Sequence, residues 1–281
     1  MKHNTLEALA NLVQTTFVMR QNSKSLNRMN SQGESLESFV QDAFCPISDA
    51  MDLETNKKLR SQVFSYLGNQ NNPPDFMLRD GDAVEVKKVR GNSTRIALNS
   101  SHPKQFLNST SKMISAACRD AENWTTKDIL YVIGEVSDET SIQHLWFIYG
   151  DCYSANEETY ESIRTVIRKG VQDLELDIAE TNELGRVNGV DPLGITNLRI
   201  RGMWDISGPR EVFAGLFPIV DSRPSFFALM TTDKYRTFPE ESRVRLENMS
   251  DLGVIIKKVE IQSPDNPARL MNATTIGWTG K

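Results

Sequence analysis

The stretch that decides the fold reads Pro74-Asp75-Phe76-Met77-Leu78-Arg79-Asp80-Gly81-Asp82-Ala83-Val84-Glu85-Val86-Lys87. Two apolar segments flank a polar, glycine-containing turn, which is typical of a β-hairpin. Alternate side chains of a strand share a face, so Glu85 and Lys87 point the same way while the alternate valines point into the core. The hairpin brings Asp75 alongside Glu85 or close to it. Two carboxylates and one ammonium group therefore meet at one edge of the predicted sheet.

This group of side chains indicates metal-dependent chemistry. Two adjacent carboxylates repel each other unless a cation lies between them, and their hard oxygen ligands suit Mg²⁺. A bound metal lowers the pKa of its water, while Lys87 orients that water or stabilises charge on a phosphate under attack. The set is what phosphodiester hydrolysis requires. The alternative is a half-exposed amphipathic strand in which Glu85 pairs with Lys87 or with a neighbouring strand.

The surrounding sequence predicts an α/β fold in which a mixed β-sheet is flanked by helices. The first 66 residues look helical, with clear helical periodicity in 31–44, whereas 21–30 is polar and irregular. Strands are predicted at 75–78, 83–89, 94–98, 128–136 and 144–149, with helices at 112–122 and 157–169. A turn at Gly91-Asn92 joins the second and third strands as a hairpin. Beyond Asp173 we expect mostly strands, of which 198–206 and 253–261 are the clearest.

Without an evident linker, we expect residues 1–281 to form a single domain. It comprises a helical N-terminal part (1–68), a catalytic α/β core (69–172) and a β-rich C-terminal part (173–281). The chain of 281 residues has a net charge of −5, which neither supports nor opposes DNA binding. It lacks an apolar run long enough for a membrane span and an N-terminal secretory signal. Three scattered cysteines suit a reducing compartment, so we expect a cytoplasmic protein.

Basic and polar residues follow the Glu85–Lys87 segment without an intervening acid as far as residue 104. Such a local excess of positive charge would neutralise DNA phosphates. The candidates for DNA contact here are Lys88, Arg95, Asn99, Ser100, Ser101 and Lys104. The alternative for Arg90, in the same segment, is a solvated charged hairpin. His102, a single histidine in a loop, is expected at the surface.

A second candidate for DNA contact is the stretch 194–204. Arg199 and Arg201 alternate with apolar residues, so a strand would present both guanidinium groups on one face. Arginine forks suit the O6 and N7 atoms of guanine in the major groove. Arg186 and Asn188, in a preceding turn, are candidates for the same groove or for a phosphate. The alternative is that both strand arginines pair with carboxylates on an outer sheet face.

The hairpin residues also match a family pattern, because Pro-Asp, a spacer and Glu-x-Lys form the PD-(D/E)xK nuclease signature at Asp75, Glu85 and Lys87. Several other segments resemble type II restriction endonucleases of this superfamily, in particular the NgoPII-type enzymes. They are 27–30 with Gly33 and Leu36-Glu37, 71–88, 99–104, 145–153 and 181–204. The resemblance spans most of residues 25 to 206.

This resemblance implies a homodimeric, Mg²⁺-dependent enzyme of a restriction-modification system that cuts both strands of double-stranded DNA at a short palindrome. For the NgoPII type the implied site is GGCC. Many superfamily members draw an extra acidic ligand from the preceding helix, which here makes Glu37 the first candidate and Glu34 the second. Two alternatives remain open at this point: a repair or structure-specific PD-(D/E)xK nuclease, and a non-catalytic DNA-binding protein.

Overall fold

The secondary structure comes from a computed structural model that describes residues 3–19, 28–47, 51–69, 72–90, 94–111, 113–138, 140–173, 177–178 and 184–280. Its helices are α1 (Thr5–Leu12), α2 (Arg28–Phe44), α3 (Leu53–Val63), α4 (Ala116–Arg119), α5 (Gly150–Tyr153), α6 (Glu157–Gln172), α7 (Pro209–Val212), α8 (Thr232–Thr237) and α9 (Glu240–Glu247). Its strands are β1 (Phe64–Asn69), β2 (Asn72–Leu78), β3 (Ala83–Arg90), β4 (Arg95–Asn99), β5 (Phe106–Asn108), β6 (Thr126–Val136), β7 (Ile142–Tyr149), β8 (Asp177–Ile178), β9 (Gly185–Asn188), β10 (Leu198–Ile200), β11 (Trp204–Ser207), β12 (Ser225–Thr231), β13 (Ile255–Gln262) and β14 (Leu270–Thr279).

The central feature is a mixed sheet in the order β1-β2-β3-β6-β7-β12-β14-β13, with β5 added alongside β6. The pairs β3–β6 and β7–β12 are parallel, and the other neighbours in this order are antiparallel. Strands β6, β7 and β12 are nearly continuous apolar runs because helices or loops cover both of their faces. The α/β class predicted from the sequence is therefore confirmed.

Two smaller sheets lie outside this order. Strands β8, β9 and β10 form an antiparallel three-stranded sheet, and β4 pairs with β11 as a two-stranded ribbon. The ribbon joins the segment that follows β3 to the segment that follows β10. The predicted β3–β4 hairpin is wrong, since β4 takes its partner from the C-terminal part of the chain.

The hydrophobic core is divided by the sheet into two layers. On one side, α1 and α2 pack against the side chains of Val84, Leu130 and Val132. On the other, Tyr131 and Ile133 lie in a second cluster of buried residues with Val89. Because side chains alternate along β3, Glu85 and Lys87 face the second layer.

Helix α2 approaches the sheet closely at a glycine. A Cβ atom on Gly134, in β6, would lie 2.7 Å from a methyl group of Leu36. A glycine inside a strand often marks such a close approach. The small residue therefore allows α2, which carries Glu37, to rest directly on the sheet.

Asparagine and aspartate side chains fix where several helices begin. Asn4 Oδ1 accepts hydrogen bonds from the backbone N–H groups of Leu6 (2.9 Å) and Glu7 (3.2 Å). Asp52 and Asn156 cap α3 and α6 in the same way. Such caps satisfy N–H groups that have no partner inside the helix. The boundary of α6 at residue 157 was predicted correctly from the sequence.

Some boundaries predicted from the sequence are wrong. The predicted helix 112–122 is only the single turn α4, which ends at Arg119, whose guanidinium group donates hydrogen bonds to the loop carbonyl oxygens of Ser109 and Ser111. Residues 64–66, assigned to the helical region, begin β1, and 28–30 belong to α2 rather than to an irregular segment. The rest of that irregular segment, 21–27, lies outside the described residues.

The C-terminal part differs most from the prediction. The predicted strand 198–206 is two strands, β10 and β11, which belong to different sheets. Helices α8 and α9 were not predicted, and β12 and β14, which lie inside the main sheet, were missed. Strand β13 matches the predicted 253–261 within two residues. Within the described residues, no helix has the length and apolar character needed to cross a membrane.

Candidate active site and DNA interface

The candidate site lies where the β2–β3 hairpin ladder ends. Phe76 pairs with Val84 and Met77 with Ala83, so the next position in this register sets Asp75 beside Glu85. Asp75 Oδ2 accepts a hydrogen bond of 2.6 Å from the backbone N–H of Val86. The side chain of Asp75 thus bonds to a backbone group of β3 and is held against this strand. The hairpin places it as the sequence predicted.

Glu85 and Lys87 lie next to each other on the same face of β3. Lys87 Nζ lies 2.5 Å from Glu85 Oε1, and the Glu85 side chain is only 12% exposed. The second carboxylate oxygen, Oε2, is buried and makes no hydrogen bond within the described part of the chain. Leaving a buried acceptor without a donor costs free energy. A cation next to Oε2 would remove that cost.

The electrostatics of the site follow from burial and from the crowding of negative charge. Burial, together with the charge of Glu85, raises the pKa of Asp75 well above its ordinary value, although Lys87 and the Val86 N–H oppose the shift. Burial alone would lower the pKa of Lys87, but Glu85 and Asp75 outweigh it and raise the pKa. The lysine therefore stays charged, whereas Asp75 holds a proton more tightly than an exposed aspartate.

Helix α2 adds a third acid from the opposite layer. Glu37 Oε1 accepts a hydrogen bond of 2.9 Å from Gln41 Nε2. Its charge contributes to the raised pKa values of both Asp75 and Lys87, so it lies within electrostatic reach of the hairpin. The side chain of Glu34, the second candidate, lies outside the described residues.

The donor set fits a hard divalent cation. It consists of carboxylate oxygens, one of them buried without a donor, and carboxylate oxygens are the ligands that Mg²⁺ and Ca²⁺ prefer. A cation would also relieve the repulsion that raises the pKa of Asp75. The carboxylate oxygens of Asp75 and Glu85 and the repulsion between them are therefore what make this site suitable for a divalent cation.

A second cluster of ligating groups lies nearby. His102, Glu157 and Glu161 place one ligand atom each within 4.8 Å of one another. Positive groups already act on these acids: Arg164 Nη1 lies 3.3 Å from Glu161 Oε1, and the charge of Lys104 is also within range. The negative charge is thus partly compensated by the protein.

His102 itself corrects a prediction. It is buried rather than at the surface, with 8% of its area exposed. Its ring stacks on Tyr160 with centroids 4.9 Å apart, and Nδ1 lies 2.8 Å from the carbonyl oxygen of Pro103. Burial lowers its pKa. The aromatic neighbour on α6 is what takes the ring out of solvent, and the local sequence gave no sign of it.

The predicted basic segment is divided between two faces. Lys88 and Arg90 alternate with Lys87 along β3 and so lie on the opposite face from the acidic pair. Arg95, at the start of β4, is largely exposed and forms an ion pair of 2.6 Å with Asp205 of β11. The segment therefore does not present one continuous positive surface beside Glu85.

Asn99, Ser100 and Ser101 lie at the end of β4, where the chain turns back. Asn99 has a φ of +56°, which is unusual for a residue other than glycine and marks a sharp change of direction. Ser100 and Ser101 line a cavity of about 300 Å³ with Arg201 and Trp204. These candidates from two distant segments thus come together, because β4 pairs with β11.

Arg186 and Arg199 are directly opposite each other in the β9–β10 ladder, and both are exposed. Arg201 follows the end of β10 and lines the cavity with Ser100. The prediction that Arg199 and Arg201 share the face of one strand is therefore wrong. Asn188, at the end of β9, is half-buried and belongs to the same small sheet.

Two residues near the site were not predicted from the sequence. Tyr131 pairs with Glu85 in the β3–β6 register, and its hydroxyl accepts a hydrogen bond of 2.8 Å from the backbone N–H of Lys104. Arg164 lines both cavities next to this region. The only signal for Tyr131 was a polar hydroxyl within the apolar run Ile129 to Ile133. The periodicity of α6 gave no sign of Arg164.

A mixed sheet flanked by helices, with a strand-rich C-terminal part, is consistent with the class of restriction-endonuclease-like α/β proteins. Comparison with known proteins identifies the member family. The model of the NgoPII restriction endonuclease family matches residues 3–262. The chain is also 41% identical over 280 residues to the type II restriction enzyme NgoPII of Neisseria gonorrhoeae, an alignment that covers 98% of this chain and 99% of the relative. No solved structure matches the chain.

The chain belongs to the NgoPII restriction endonuclease family. It is a type II restriction endonuclease, a site-specific deoxyribonuclease whose substrate is DNA. Of the functions that the sequence left open, family membership selects the restriction enzyme over a repair nuclease and over a non-catalytic DNA-binding protein.

Proposed function

We propose that this restriction enzyme hydrolyses double-stranded DNA with Mg²⁺ held by Asp75 and Glu85 and with Glu37 as an additional acidic ligand. One observation carries the proposal: Glu85 Oε2 is buried beside Asp75 and makes no hydrogen bond within the described residues. When bound, Mg²⁺ supplies a Lewis acid that acidifies water and neutralises charge on phosphorus.

The protein side chains have separate roles in this proposal. Asp75 and Glu85 provide the negative charge that attracts the metal, and the Val86 N–H fixes the orientation of Asp75. Lys87, which stays protonated beside Glu85, orients the attacking water or donates a hydrogen bond to the phosphate as charge develops. These are the roles of a PD-(D/E)xK catalytic set.

DNA recognition is assigned to two groups of residues. Contacts to phosphates or base edges come from Lys88, Arg95, Asn99, Ser100, Ser101, Arg186 and Asn188. Arg199 and Arg201 are the candidates for reading guanine, and GGCC is the proposed recognition site. A palindrome calls for a symmetric homodimer, with each subunit reading one half-site.

We also propose that residues 1–281 act as one endonuclease domain in the cytoplasm. Strands β12, β13 and β14 from the C-terminal part lie in the same sheet as β2 and β3, which supports a single domain. The free cysteines Cys45, Cys118 and Cys152 are buried, which suits a reducing compartment.

The test is the cleavage of plasmid DNA by Asp75→Asn, Glu85→Gln and Lys87→Met. Each substitution removes a charge that the reaction needs, which costs about 4 kcal/mol and slows single-turnover cleavage about a thousandfold. Binding to a cleavable duplex without divalent cation should remain close to that of the wild type. The exposed Glu260 and Asp251 provide matched controls, since Glu260→Gln and Asp251→Asn should cut normally.

Three further measurements separate the parts of the proposal. Wild-type activity should disappear in chelator and return with Mg²⁺, and sequenced fragment ends should lie at GGCC. Sedimentation should give twice the monomer mass. Cleavage at the wild-type rate by Asp75→Asn or Glu85→Gln would reject the catalytic assignment, whereas cuts at another palindrome would reject only GGCC.

A further inference from the structure

Lys104 is a buried lysine whose ammonium group has no close ion pair among the described residues. Only 7% of its area is exposed. Among the described residues its ammonium group makes no hydrogen bond and no ion pair within 4 Å, although the charges of Glu85, Glu157 and Glu161 act on it from farther away. Burying a charge without a close partner is unfavourable, so this group lowers the free energy of unfolding of the protein.

The backbone of Lys104 is fixed by contacts to the central sheet. Tyr131 Oη accepts a hydrogen bond from the Lys104 N–H at 2.8 Å and lies 3.4 Å from its carbonyl oxygen. A Cβ atom on Gly150 would lie 2.3 Å from that same carbonyl oxygen, so only glycine permits the approach. Lys104 is therefore held rigidly rather than carried on a free loop.

These contacts also determine where Lys104 lies relative to the catalytic strand. Tyr131 is the direct neighbour of Glu85 in the parallel β3–β6 pair, and both side chains face the same layer. Lys104 thus lies over the strand beside Glu85. It lines a cavity of about 270 Å³ together with two acids, Glu157 and Glu161, and two arginines, Arg164 and Arg168. Because the cationic side chains of this cavity outnumber its carboxylates, the chemical group that suits it is an anion.

We propose that Lys104 is a second catalytic lysine, whose ammonium group binds a non-bridging oxygen of the phosphate that is cut. This inference rests on the proposed function of Asp75, Glu85 and Lys87. In the reaction, water oxygen bonds to phosphorus and loses a proton, while the bond from phosphorus to the leaving sugar oxygen breaks and that oxygen gains a proton. Lys104 remains protonated and stabilises the added negative charge.

This role differs from a general DNA contact in what it predicts. A preorganised donor acts mainly on the transition state, so its removal slows the chemical step more than it weakens binding. A surface phosphate contact, by contrast, contributes to affinity alone. An unpaired buried charge also destabilises the DNA-free protein, and removing it should not harm folding.

The experiment compares Lys104→Met and Lys104→Arg with the wild type on a plasmid that the wild type cuts to discrete fragments. For Lys104→Met we expect single-turnover cleavage to fall about a hundredfold. The dissociation constant for a duplex carrying the cut site, measured without divalent cation, should change less than tenfold. Lys104→Arg should recover part of the rate, and Lys104→Met should unfold at the wild-type temperature or above it.

The control is Lys257→Met, which removes the same charge from an exposed position on β13, the far edge of the sheet. It should cut at the wild-type rate. The proposal is overturned by an unchanged rate in Lys104→Met, by a loss of affinity equal to the loss of rate, or by a clear fall in unfolding temperature. Asp75→Asn run in parallel separates the two ideas, because normal cleavage by that variant would reject the proposed catalytic site itself.

Discussion

Asp82 and Glu85, three positions apart in the β2–β3 hairpin, each belong to a cluster of buried charged side chains. The two clusters differ in how completely their carboxylates are hydrogen-bonded. In the first, Lys234 Nζ lies 2.6 Å from Asp82 Oδ1 and also contacts Asp128, while Tyr149 Oη donates to Asp82 Oδ2 at 2.6 Å. In the second, around Glu85, one carboxylate oxygen is buried without a donor in the described chain.

The comparison separates a structural cluster from the proposed catalytic one. Both contain carboxylates beside one lysine, so their charged groups are of the same kinds. In the Asp82 cluster the protein supplies the partners, and the result is a cross-link between distant elements. In the Glu85 cluster, the described residues provide no hydrogen-bond donor for Glu85 Oε2. Of the two clusters, the one with the incompletely hydrogen-bonded Glu85 is the one that we propose to bind metal.

Breaking the Asp82 cluster should have the largest effect on stability. Lys234→Met leaves the 3% exposed Asp82 without its cation, and breaking a buried pair in this way costs about 3–5 kcal/mol of unfolding free energy. Urea unfolding measures the loss. Adding Asp82→Asn to Lys234→Met should restore part of it, because the unpaired charge is then absent. A loss below about 1 kcal/mol in the single variant would contradict the structural role.

Removing a charge from the Glu85 cluster should raise stability rather than lower it. Because the pKa of Asp75 is raised on folding, the folded state binds more protons than the unfolded state above about pH 4, and stability falls as pH rises through the raised pKa. In metal-free buffer, Asp75→Asn should therefore gain stability relative to the wild type as pH increases.

Thermal unfolding in chelator between about pH 4 and about pH 8 measures this difference. Asp251→Asn, at an exposed acid, serves as the control for the change in net charge. Addition of Mg²⁺ should then stabilise the wild type more than Asp75→Asn. A stability difference that is the same at every pH would show that Asp75 is not under electrostatic strain.

The smallest effect on stability is expected for the ion pair Arg95–Asp205, which is exposed. Comparing it with the buried Asp82–Lys234 contact tests whether burial, rather than charge alone, determines how much an ion pair contributes. The two side chains are 68% and 53% exposed, and such pairs contribute up to about 1 kcal/mol. Arg95→Ala should change the unfolding free energy by no more than this amount, and 1 M salt should reduce the effect further. A larger loss would mean that the β4–β11 ribbon depends on the pair.

Much of the β2–β3 hairpin could be predicted because its signals are local. The turn 79–82 and the alternation in 83–90 specify the β2–β3 pair, and the register then places Asp75 beside Glu85. The apolar runs of β6 and β7 are equally local. The sequence also indicated the Glu85–Lys87 contact, but it gave the same weight to a structural pair and to a catalytic one.

Features that depend on distant contacts could not be predicted. The pairing of β4 with β11 joins residues about a hundred positions apart, and the break between β10 and β11 follows from it. His102 is buried because Tyr160 covers it, and Lys104 because Tyr131 and Gly150 hold its backbone. Neither partner is marked by any pattern near residues 102 and 104. The Asp82–Lys234 cluster is hidden for the same reason.

The contact between Lys234 and Asp82 has a consequence for the growing chain. Asp82 lies three residues before Glu85, but its partner is 152 positions further on. The parallel pairing of β7 with β12 also waits for the C-terminal part of the sequence. During translation, the strands that carry Asp75 and Glu85 therefore gain their full support only after most of the polypeptide has left the ribosome, so that a nascent nuclease completes its proposed cutting centre late.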